Sequence, residues 1–85
     1  MANNKFIKDI KVDGVDYKLQ MLPVRQALEL RKNSRVGGEI DDIKFYSELL
    51  EHIVIEPKMS IDDFESVAHL EKLMQEVVDR QYQGK

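Results

Sequence analysis

The chain reads as a small α+β domain, an N-terminal β-hairpin packed on a bundle of three helices. Three observations predict it. An Asp13-Gly14 pair sits between two alternating apolar segments. Two later stretches repeat apolar residues at helical spacing. The block Glu56-Pro57-Lys58-Met59-Ser60-Ile61-Asp62-Asp63-Phe64 stops one of those stretches and starts the next. With 85 residues the chain makes one domain. Its core is thin, because a chain of this size buries only about 60–65% of its unfolded surface. A partner, or a second copy in a homo-oligomer, can complete such a core.

The hairpin is predicted over residues 5–21. Asp-Gly is a favoured two-residue loop because both central positions take positive φ. With Val12 opposite Val15, Ile10 falls opposite Tyr17, Lys8 opposite Leu19 and Phe6 opposite Met21. All of these but Lys8 place apolar groups on one face. Asp9, Lys11, Asp16, Lys18 and Gln20 take the other, with Ile7 the exception. A lone hairpin is marginal in water, so it must pack on helices.

The first helix is predicted over about residues 23–33, since proline is favoured at the first helical position. Val24, Ala27, Leu28 and Leu30 form its apolar stripe. Gly37-Gly38 reads as a linker. The second helix is predicted over about residues 41–54. Ile43, Tyr46, Leu49, Leu50, Ile53 and Val54 fill an arc of about 140°, with Phe45 at its edge. Pro57 then ends it, because the residue before proline avoids helical geometry.

The third helix is predicted over about residues 60–81. Ser60 is its expected N-cap, Asp63 completes a capping box, and Met59 and Phe64 sit where a hydrophobic staple places them. Asp62 and Asp63 also suit the positive end of the helix dipole. This helix carries more apolar surface than one face needs. Phe64, Val67, Met74, Val78 and Tyr82 form one cluster; Leu70, Leu73 and Val77 form another. Either one cluster packs the domain while the other meets a partner, or the helix is central and buried on two sides.

The residues able to do chemistry form no convergent set in the sequence. Cysteine is absent, so no disulfide and no thiolate zinc site can form. His52 and His69 lie on different predicted helices, neither at metal-ligand spacing from another His. Asp62-Asp63 and Asp41-Asp42 are explained by capping and dipole roles. No serine has a nucleophile-elbow context, and Gly37-Gly38 precedes no phosphate-loop Lys. The expectation is a protein with no enzymatic activity, cofactor or metal.

Charge is uneven. Residues 1–36 hold eight Lys/Arg against four Asp/Glu, and residues 37–85 hold five against twelve. The polarity suits head-to-tail contacts or a charged partner. Arg25, Arg31, Lys32 and Arg35 cluster around the first helix, yet the third opens on acids, which argues against nucleic-acid binding. The longest apolar run, Ile53-Val54-Ile55, is far short of the roughly 20 residues of a membrane span, and Met1-Ala2-Asn3-Asn4-Lys5 does not open a signal peptide.

The order of elements is similar to that of the tail assembly chaperones of long-tailed phages and prophages of Gram-positive bacteria. The likeness rests on the Asp-Gly hairpin Ile10–Leu19, the Pro-started helix, the segment Tyr46-Ser47-Glu48-Leu49-Leu50-Glu51-His52-Ile53-Val54, and the Glu56–Phe64 block before a last helix. It spans nearly the whole chain on short motifs. It implies a non-enzymatic role in the bacterial host cytoplasm, outside the mature virion: binding the long, helix-rich tape measure protein, keeping it soluble, and helping recruit the tail tube protein. Many members of that family are made in two forms, the longer by frameshifting near the end of the short gene, and Gly84-Lys85 is encodable by a slippery run. On this reading Leu70, Leu73 and Val77 contact the client, or else Phe64, Met74 and Val78. The rival reading is a small cytoplasmic adaptor or regulator from a mobile element.

Overall fold

Strands β1 (Ile7–Val12) and β2 (Val15–Gln20) form the expected antiparallel hairpin. The computed structural model describes residues 6–84; Lys5, where the predicted hairpin begins, lies outside them. The register is the one read from the turn, with Val12 opposite Val15, Ile10 opposite Tyr17 and Lys8 opposite Leu19. Asp13 and Gly14 have φ of 51° and 84°, the double positive that closes a two-residue loop in step with strand twist. Ile10, Val12, Tyr17 and Leu19 are buried on the inner face, while Lys8 is exposed.

A third strand, β5 (Val54–Glu56), joins the other side of β2 and completes a sheet of order β1-β2-β5. The sequence pattern places residues 53 and 54 in the second helix. Instead α2 (Asp42–His52) ends earlier, and Ile53 caps it. The change of path buries more: the Ile53 carbonyl accepts from Gln20 N–H at 2.8 Å, and Val54 pairs with Leu19. Both Ile53 and Val54 become fully buried.

Between the sheet's second and third strands lie α1 (Val24–Asn33), a short hairpin of β3 (Arg35–Val36) and β4 (Glu39–Ile40), and α2. Gly37-Gly38, read as a linker, is the tip of that hairpin, with φ of 63° and 89°. Ser34 anchors its base. It is wholly buried, donates its hydroxyl to Leu30 O at 2.9 Å, and accepts Asp41 N–H on its own carbonyl at 2.8 Å. Asp41 caps α2 as the sequence predicts, accepting Lys44 N–H at 3.0 Å.

The third predicted helix is two pieces. Ile61–Asp63 is a single 3₁₀ turn, and Asp63 accepts Ser60 N–H at 2.9 Å as the capping signal implies. Phe64 then returns to extended backbone, and α3 (Val67–Tyr82) starts afresh with Ser66 accepting His69 N–H at 3.2 Å. Two cap signals six residues apart each start a helix, and the second one starts the long one.

The core lies between the sheet, α2 and α3. It contains Leu19, Leu49, Leu50, Ile53, Val54, Leu73, Met74 and Val77, all essentially without solvent contact. Phe45, predicted at the stripe's edge, is buried and meets Tyr82 with ring centroids 6.0 Å apart. Ile43, predicted within the stripe, is 70% exposed. The α2 helix is therefore rotated toward Phe45, Leu49 and Leu50.

Candidate functional site

Helix α3 has the surplus apolar surface, and the fold consumes most of it. Leu73 and Val77 are fully buried, Met74 nearly so, and Leu70 joins the same core. The reading of Leu70, Leu73 and Val77 as a free client face is corrected accordingly: they hold α3 on the sheet and α2. Met74, from the alternative set, is core as well. Phe64 and Val78 are half-buried and pack against that core from two different surface depressions. The six residues thus form no continuous outward face. The other expectation, a central helix covered on two sides, is met in part: Leu70, Leu73, Met74 and Val77 are buried, Phe64, Val78 and Tyr82 are half-buried, and Val67 is 72% exposed.

On α3 itself Val67 remains exposed at the first turn; a pair of exposed apolar groups stands on α1. On α1, Ala27 and Leu30 face inward, while Val24 is 76% and Leu28 47% exposed. These two stand one turn apart on the same face. With Arg25, Glu29 and Lys32 they line one shallow depression. The sequence places Val24 and Leu28 in a core stripe; a ten-residue helix held along one narrow line leaves them out. Arg31, from the basic cluster, is not part of this face. Its guanidinium lies over the Tyr82 ring, 5.1 Å from the centroid.

The orientation of α1 is fixed by the end of α3. The Gln81 carboxamide grips Leu22, accepting its N–H at 2.7 Å and donating to its carbonyl at 3.0 Å. Tyr82 donates its hydroxyl to Ala27 O at 2.7 Å. Burial raises the Tyr82 phenol above its ordinary pKa, partly offset by the Arg31 charge. The exposed face of α1 is therefore held rigidly by polar contacts on its other side.

A polar chain occupies the opposite end of the molecule. Asp13, at the hairpin tip, receives Lys72 Nζ at 3.0 Å and His69 Nδ1 at 3.3 Å. His69 Nε2 lies 2.7 Å from the Tyr17 hydroxyl. A carboxylate accepts only, so Nδ1 carries the proton toward Asp13; in the neutral imidazole Nε2 then accepts from Tyr17. The Lys72 bond, with help from His69, lowers the Asp13 pKa below 3.8. Burial, and secondarily the Asp13 charge, raises the Tyr17 phenol. This arrangement keeps Tyr17 protonated and the imidazole oriented; it ties the hairpin tip to the first turns of α3. Nothing in the sequence signals it, because Asp13 and His69 are 56 residues apart. His52 makes a separate i, i+4 contact with Glu48 at 3.5 Å. Among the described residues no group of three or more His, Asp or Glu is placed to hold a metal ion. No helix there is long and apolar enough to cross a membrane.

No family model, no curated protein and no solved structure matches the chain.

Proposed function

We propose that the chain is a non-enzymatic tail assembly chaperone of a long-tailed phage or prophage. In this role it binds the tape measure protein in the host cytoplasm, keeps it soluble and aids assembly of the tail tube around it. The observation that supports a protein-binding role is the outward apolar pair Val24 and Leu28 on a helix locked from behind by Gln81 and Tyr82. Such a ridge covers apolar stripes on a client helix in the manner of helix-to-groove recognition. Arg25 and Lys32 border it with one carboxylate, Glu29, so the matching client segment is an amphipathic helix whose stripe is edged mainly by Asp or Glu. The likeness in element order to the phage chaperones supplies the client class.

The test is co-expression with the helix-rich tape measure protein encoded by the same phage genome. The wild-type chain should yield a soluble complex. Val24→Glu with Leu28→Glu should lose the client while keeping the wild-type circular dichroism spectrum. A client that stays insoluble with the wild-type chain counts against the chaperone reading. A client still bound by the folded double variant moves the contact away from α1.

A further inference from the structure

The outer edge of β1 carries the other unused feature. In the sheet order β1-β2-β5, no strand among the described residues pairs with that edge. Its backbone parity is fixed. Phe6 O accepts Met21 N–H at 2.7 Å, and the register continues through Lys8–Leu19, Ile10–Tyr17 and Val12–Val15. In an antiparallel ladder hydrogen-bonded pairs alternate with non-bonded ones. Even-numbered residues of β1 therefore bond to β2, and Ile7, Asp9 and Lys11 direct their N–H and C=O groups outward.

On the solvent face, charges form two rows that run across the strands. One is Glu56–Lys18–Asp9, through the Lys18–Glu56 and Asp9–Lys18 pairs. The other is Asp16–Lys11, closed by an ion pair of 3.0 Å. Sign alternates within each row, and the two rows reach the open edge with opposite charge. The first ends on Asp9 and the second on Lys11.

We propose that this edge is a self-complementary interface, at which β1 pairs antiparallel with β1 of a second copy about a two-fold axis through Ile10. Parity admits only odd residues opposite odd residues. An axis at Asp9 sets Asp against Asp, and an axis at Lys11 sets Lys against Lys. The axis at Ile10 sets Asp9 against Lys11 twice, and both pairs form the outward backbone bonds. Each charge row then continues into the second copy with its alternation unbroken, as Glu56–Lys18–Asp9–Lys11–Asp16. The result is a six-stranded sheet with an isologous contact. Lysine on an edge strand ordinarily resists indiscriminate pairing. Here the same lysine, with Asp9 two residues before it, favours this register; an axis at Val12 would set Lys11 against Asp13, a turn residue already held by Lys72 and His69. Opposite charges directly across a ladder favour pairing and like charges oppose it.

A six-residue strand edge is smaller than a standard stable interface, so the dimer should be weak, with Kd on the order of 10–100 µM. Sedimentation equilibrium should show the wild-type chain passing from monomer to dimer over that range. Amide exchange should show Asp9 and Lys11 N–H groups gaining protection with concentration, while Ile10 N–H is protected throughout. Asp9→Lys and Lys11→Asp, each alone, should weaken the dimer about tenfold or more, since every cross-copy pair becomes like-charged. Mixed in equal amounts they should associate again. One variant then presents lysine at both edge positions, the other presents aspartate at both, and every cross-copy pair is opposite in charge. A wild-type chain still monomeric near 1 mM overturns the proposal. So does a mixture that remains as dissociated as its components, or single variants that dimerise like the wild type. The proposal does not rest on the chaperone reading, and Val24→Glu with Leu28→Glu should leave this dimer intact.

Discussion

Helices α1 and α3 both carry apolar residues at helical spacing, and they meet opposite fates. In α3, Leu70, Leu73, Met74 and Val77 disappear into the core. In α1, only Ala27 and Leu30 do, and Val24 and Leu28 remain outside. The difference is set by neighbours. The α3 helix packs against both the hairpin and α2, so two arcs of its surface are covered. The α1 helix is held along one line, by Ala27 and Leu30, and secured at its start by Gln81 and Tyr82 together with the packing of Leu22 on the core. Amphipathicity states how much surface a helix can bury, and the surrounding layers decide how much it does. A patch seen in sequence as surplus can be the most buried part of the molecule.

The largest expected effect tests the α3 side. Leu73→Ala removes a side chain with no solvent exposure. It should cost about 2–5 kcal/mol, the range for buried leucine truncation. Chemical denaturation would register this as a lower midpoint with an unchanged slope. A loss under about 1 kcal/mol would mean that the α3 arc is looser than its burial implies, and would reopen it as a contact face.

The hairpin was legible because two independent signals agree: the Asp13-Gly14 turn fixes the register, and alternation fixes the face. The segment 53–66 was not. Ile53-Val54-Ile55 serves equally as the last turn of a helix or as a buried strand, since three apolar residues carry no period. Only the vacant edge of β2 decides for the strand. Likewise Ser60–Asp63 is a true capping signal attached to a single 3₁₀ turn, with Ser66 holding the cap of α3. Of the site, the residues were visible but not their exposure. Val24, Leu28 and Leu73 look alike in sequence, and their separation depends on contacts made dozens of residues away.

A smaller effect is expected where α3 grips α1. Tyr82→Phe removes the hydroxyl given to Ala27 O and keeps the ring between Phe45 and Arg31. A stability loss of about 0.5–1.5 kcal/mol should follow, the usual net value of one intramolecular hydrogen bond. Client binding should weaken in parallel if the rigidity of α1 matters to its ridge. Unchanged binding would place the recognition in the side chains alone.

The acid limb of stability sharpens the contrast at the other end of α3. The Lys72 bond lowers the Asp13 pKa in the folded chain, so Asp13 binds its proton more readily when unfolded. Its contribution is fully present above the unfolded value near 3.8 and is lost as pH falls through the lower folded pKa. Asp13→Asn keeps a residue tolerant of the positive φ at this turn and removes the charge. The Tm difference between wild type and variant should therefore shrink as pH drops below about 4. The exposure of this carboxylate keeps the shift small. A difference that stays constant from pH 7 to pH 2 would show that the Asp13–Lys72 contact does not form in solution.

The smallest effect on stability is expected from the pair that matters most to the proposed role. Val24→Ala with Leu28→Ala deletes two exposed side chains, one of them largely in solvent and the other about half covered, and alanine is the better helix former. The change in unfolding free energy should stay within about 0.5 kcal/mol, the ordinary range for surface positions. Client affinity, in contrast, should fall at least about tenfold, because an apolar ridge cannot be replaced by its charged border. That pairing of outcomes is the reverse of Leu73→Ala, in which stability falls first. If the double alanine variant destabilises the free chain by several kcal/mol, Val24 and Leu28 are covered in solution. The α1 ridge would then be part of a core that a second surface completes.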